Sequence, residues 1–73
     1  MYVVNVDSLT STCMIHVVGG CGHQSPPGTV SPQGHATWSD YLLTLEDARA
    51  FAVATGKQHV KECQVCESRA ADR

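Results

Sequence analysis

Cys63-Gln64-Val65-Cys66 sets two thiols on one tight turn, and upstream Cys13, His16, Cys21 and His23 form a second cluster of sulfur and imidazole donors. Two sulfurs at that spacing can share one ion. Tetrahedral zinc then needs two more thiolate or imidazole ligands, and the upstream cluster offers four. Cys63 and Cys66 are the strongest candidates. Cys21 comes next, because it follows Gly19-Gly20 at the end of an extended run, where a thiolate can face a partner knuckle. Three residues compete for the fourth position. In a strand, Cys13 and His16 point to opposite faces, so only one of them reaches the ion. Cys13 shares its face with Ile15 and Val17 and reads as a small buried hydrophobe. His16 lies nearer the turn that carries Cys21 and is the expected ligand; its competing role is a half-buried strand histidine. His23 makes a Cys-x-His pair with Cys21 and is the remaining alternative. A zinc ion held by His16, Cys21, Cys63 and Cys66 has no open position for water, so the site would be structural rather than hydrolytic.

Chain length favours such a staple. A chain of 73 residues is one domain at most, and a core this small rarely outweighs chain entropy unaided. Two disulfides or a redox pair are the other uses of four cysteines. Met1 to Asp7 lacks the basic start and apolar run of a secretory leader, and no segment has the roughly 18 apolar residues that cross a membrane. A reducing, cytoplasmic setting is therefore expected, where C-x-x-C more often holds metal than a structural disulfide. A formal net charge of −2 argues against a large nucleic-acid footprint, which draws its affinity from clustered cations.

The elements that must position these residues read as follows. Tyr2 to Val6 and Thr12 to Val18 are β-prone runs joined by a turn-rich link, and they predict an antiparallel pair. From 22 to 36 the chain carries all three prolines, with glycines and serines, and predicts a mobile surface loop without regular structure. A third strand is expected over 37–43. Thr44 reads as the N-cap of a helix over 45–55, with Glu46 and Asp47 in its first turn, an apolar stripe of Leu45, Ala48, Phe51 and Ala52, and Gly56 as its stop. Gln58 to Glu62 reads as an extended connector delivering the knuckle. The expected fold is thus a small α+β, zinc-stabilised domain over 1–66: about three antiparallel strands, one helix and a C-terminal C-x-x-C knuckle. A disordered tail over 67–73 would follow. His35 and His59 read as solvated side chains, and Trp38 and Tyr41 as the roof of a small core.

His16, Cys21, the Tyr41–Gly56 segment with its Leu-Glu-Asp-Ala helix, and Cys63 with Cys66 together resemble the metal-binding module of the Ada DNA-repair family and its stand-alone relatives. The resemblance spans about half of the chain. It implies zinc ligation by those same four residues. Small size, the leaderless start and a stand-alone character suit a small accessory protein of a bacterium or phage. The spacing from His16 to Cys21 is one residue longer than in that family, and the loop between the halves is expanded. In the repair proteins a cysteine at the first ligand position accepts the methyl group. Here that position is His16, which has no thiolate to alkylate, so the resemblance implies the fold and the metal but not methyl transfer.

The function expected from these readings is a non-catalytic zinc module that docks onto a protein partner in an intracellular assembly, using Trp38, Tyr41 and the loop. Two readings of other classes stand beside it. One is nucleic-acid binding through Arg49, Lys57, Lys61 and Arg69. The other is thiol–disulfide exchange at Cys63 and Cys66, which lacks the following helix N-terminus that ordinarily lowers a thiol pKa.

Overall fold

A computed structural model describes residues 1–20 and 24–63. The strands β1 (Tyr2–Asp7) and β2 (Thr12–Val17) pair antiparallel, with Val4 opposite Ile15 and Val6 opposite Cys13. The reversal between them is built by Asp7, whose carboxylate accepts from the Leu9 and Thr10 amides at 2.8 and 3.3 Å. Such an Asx arrangement closes a turn with side-chain chemistry alone. Strand β3 (Ala36–Trp38) pairs antiparallel with β1 on its other side. Helix α1 (Leu45–Ala54) follows, and then strand β4 (His59–Glu62), which pairs parallel with β2. The sheet order is β3-β1-β2-β4, so the β3–α1–β4 crossover carries the helix over the two central strands.

The coarse α+β class is as expected, but among the described residues the sheet is mixed and has four strands rather than an antiparallel three. The segment expected as a connector is the added strand. All four of its residues are exposed, and its one apolar side chain gives no alternation, so its strand state rests on backbone bonds to β2. The third strand is also shorter than 37–43. From Asn5 to Tyr2 is three steps along β1, whereas their partners Trp38 and Leu42 lie four apart. The extra residue is a β-bulge. Ser39 manages the break: its amide donates to the Val4 carbonyl at 2.9 Å, and its hydroxyl, where a carbonyl would ordinarily stand, accepts from the Val4 amide at 2.9 Å.

Alternation divides the buried residues between two faces. On the helix face Val4, Cys13 and Ile15 pack with Ala48 and Ala52, flanked by Tyr2, Val6, Leu42 and Leu45. Two alanines at i and i+4 let the helix backbone approach the sheet closely. Thr44 caps that helix, its hydroxyl accepting from the Asp47 amide at 3.0 Å, and Gly56 at φ 75° ends it. The opposite face carries Val3 and His16, both buried, together with Trp38. Over its described part, the expected loop folds back along β3. The Gly28 amide donates to the Trp38 carbonyl, the Trp38 amide to the Thr29 carbonyl, and the Ser31 amide to the Ala36 carbonyl, at 2.8–3.1 Å. Among the described residues no helix is long and apolar enough to cross a membrane.

Candidate metal centre

The parallel pairing of β2 with β4 gives the two halves of the expected site a common end. Register runs Thr12–His59, Cys13–Val60, Met14–Lys61 and Ile15–Glu62, and the Cys63 amide donates to the Ile15 carbonyl at 2.8 Å. Carried one residue further, that ladder sets Cys63 beside His16. Alternation puts both on the face away from the helix, since Cys13 and Ile15 occupy the helix face. Two residues far apart in sequence therefore become lateral neighbours. His16 is 7% exposed, and its ring lies against Trp38 with centroids 5.2 Å apart and planes at 38°. Cys63 is half-buried.

The chain leaves β2 through a turn closed by the Gly20 amide on the Val17 carbonyl at 2.8 Å, with Gly19 at φ 75°. Gln24 clamps the same turn: its side-chain amide donates to the Val17 carbonyl at 2.7 Å and its side-chain oxygen accepts from the Gly19 amide at 3.2 Å. Of the four expected ligands, Cys21 and Cys66 lie outside the described residues, as do the alternative His23 and the expected tail 67–73. Among the described residues no group of three or more His, Cys, Asp or Glu side chains is placed to hold a metal. One imidazole and one thiol side by side on adjacent strands fit the borderline-soft donor chemistry of zinc.

Cys13 is fully buried on the other face. Its Sγ lies 3.1 Å from Thr55 Oγ1 and 3.9 Å from the Ala52 carbonyl, so the thiol packs β2 against the end of the helix. It does not share a face with His16.

A second polar constellation joins Asp7 to His35, with Asp7 Oδ1 3.3 Å from Nδ1 of the histidine. It fastens the β1–β2 turn to the entry of β3, and the Ser8 amide adds a 2.7 Å bond to the His35 carbonyl. Partial desolvation raises the Asp7 pKa, and the Leu9 and Thr10 amides with His35 more than offset it. The carboxyl titrates below its ordinary 3.8. The Asp7-Ser-x-Thr turn pattern was the signal for this cluster in the sequence; the histidine arriving beside it was not local information. Of the cations expected to form a nucleic-acid patch, the three among the described residues are dispersed. Arg49 Nη2 bonds both Glu62 oxygens at 3.2 and 3.3 Å on the helix face. Lys57 reaches Ser8 Oγ at 3.4 Å, Lys61 falls in register with Met14 on the opposite face, and Arg69 is outside the described residues.

No family model matches this chain, and no curated protein or solved structure matches it at a significant level.

Proposed function

We propose that this chain is a non-catalytic zinc-binding module in which His16, Cys21, Cys63 and Cys66 hold one Zn2+ and the folded domain serves as a docking unit for a protein partner in an intracellular assembly. Kinship with the stand-alone relatives of the Ada metal-binding module is part of the proposal. The observation that carries it is the bond from the Cys63 amide to the Ile15 carbonyl, which brings Cys63 level with His16 at the end of β2. Cys21 is next in sequence to Gly20, which is held at that same strand end, and Cys66 follows Cys63 by three positions. The metal would act on folding rather than on a substrate. It would tie the edge strand β4, whose side chains are all exposed, to the buried His16. Structural zinc contributes on the order of 10 kcal/mol in small domains, against the few kcal/mol that a core of this size leaves in surplus.

Native mass spectrometry of the purified chain tests the reading, since it reports bound metal, disulfide mass loss and oligomeric state together. One zinc per chain is expected, with loss of the far-ultraviolet circular dichroism on chelation. Cys63→Ser should abolish metal uptake, whereas Cys13→Ala should retain it and cost only about 1–3 kcal/mol as a small core truncation. A metal-free chain whose fold ignores chelators removes the proposal. A mass two hydrogens lower per cysteine pair would point to disulfides in its place.

A further inference from the structure

We infer that the outer side of α1 is a self-association surface, on which a second copy of this chain packs its own α1 antiparallel across a two-fold axis. The inference uses no metal and goes beyond the reading above by assigning an occupant to one side of the fold. Helix α1 turns Ala48 and Ala52 into the sheet, and a helix with one covered side ordinarily carries polar residues on the other. From 50 to 54 this helix reads Ala-Phe-Ala-Val-Ala. Ala50 and Ala54 are exposed, Val53 is 70% exposed, and Leu43, just ahead of the cap, is 77% exposed. The charges around this apolar side select the occupant. Arg49 is already matched within the chain by Glu62. Among the described residues Glu46 and Asp47 at the helix start, and Lys57 just past its end, have no ion-pair partner. Lys57 Nζ reaches the neutral Ser8 hydroxyl at 3.4 Å. The helix between them is about 15 Å long, so Glu46 and Lys57 cannot meet within one chain. Glu46, Ala50 and Val53 lie along one line of the helix, at i, i+4 and i+7. An antiparallel pairing that sets Ala50 of one copy opposite Val53 of the other therefore sets Glu46 opposite Lys57, four positions further out at each end. A parallel pair would set Glu46 against Glu46. The surface is thus complementary to itself in the antiparallel sense, as a two-fold interface requires. Its alanines let two helix backbones approach closely, and oligomerisation is a common supplement to so small a core.

The full chain is studied in reductant by sedimentation equilibrium over a range of concentrations, with circular dichroism to verify folding. The wild type should rise with concentration from the 7.8 kDa of one chain towards twice that mass. Glu46→Lys and Lys57→Glu should each associate about tenfold or more weakly, because the two-fold axis repeats the like-charge contact. Mixed in equal amounts, the two variants should recover the wild-type association, since each contact between unlike copies then joins opposite charges. A wild type that stays monomeric overturns the inference. Val53→Glu then identifies what covers the helix: lost stability points to another part of the same chain, and unchanged stability leaves the surface to a different protein. A wild-type dimer that both reversals leave intact, or that the mixture fails to restore, places the contact elsewhere and overturns the inference too. If a charge-reversed chain does not fold, Val53→Glu decides: a folded monomer supports the inference, and a dimer of wild-type strength refutes it.

Discussion

Removing one oxygen from Ser39 should destabilise this domain more than most core truncations of its size. The Val4 amide is fully buried on β1 and donates to Ser39 Oγ at 2.9 Å. At the bulge that hydroxyl stands where a partner carbonyl would be in a regular ladder. Ser39 is itself 8% exposed, so water has little access to replace it. Ser39→Ala leaves a buried N–H without its acceptor, which costs about 1–3 kcal/mol. It also removes the 2.8 Å bond from the hydroxyl to the Asp40 carbonyl, although that carbonyl belongs to an exposed residue and can turn to solvent. Taking about 2 kcal/mol, and about 4–8 °C per kcal/mol for a domain of this size, the melting temperature should fall by roughly 10 °C. Thermal unfolding followed by circular dichroism measures the shift, and hydrogen exchange at the Val4 amide localises it. Ser39→Thr, which retains the hydroxyl, serves as the control. If Ser39→Ala melts within about 0.5 kcal/mol of wild type and Val4 exchange is unchanged, the hydroxyl is not the acceptor that keeps the bulge paired, and the account of why β3 stops at Trp38 is wrong.

Three further outcomes follow from single contacts. The Asp7 carboxyl titrates below its ordinary 3.8 in the folded chain, so the unfolded chain binds more protons as the pH falls through that region. Its stabilising contribution is present above that pH and is lost as the pH drops through the folded value; acid-unfolding curves of wild type and Asp7→Asn should converge at the acid end. Ala52 has no exposed surface where the helix meets the sheet, and Ala52→Leu should cost about 1–3 kcal/mol by overpacking, read as a lower urea midpoint with an unchanged slope. Gly56 ends the helix at φ 75° with open space where a Cβ would stand, so Gly56→Ala should cost about 1 kcal/mol through backbone strain alone, seen in thermal melts.

Local chemistry in the sequence determined the first hairpin and the helix. Two β-prone runs separated by an Asp-led turn need no distant partner to be recognised, and Thr44, Glu46, Asp47 and Gly56 mark the helix ends by capping and dipole effects that act within one turn. Strand alternation also separated Cys13 from His16, because it depends only on odd or even spacing. Tertiary structure decided the rest. Gln58 to Glu62 has no apolar period, and it becomes a strand only because β2 supplies a free edge and the helix crossover returns the chain to it. That non-local pairing is what sets Cys63 level with His16. The bulge at Ser39 arose in the same way: a serine hydroxyl can replace a carbonyl only where a particular amide, that of Val4, comes to meet it. Residue types and spacing name the groups able to bind an ion. Which of them share one face depends on register between distant strands, a backbone property that no side-chain pattern in β4 records.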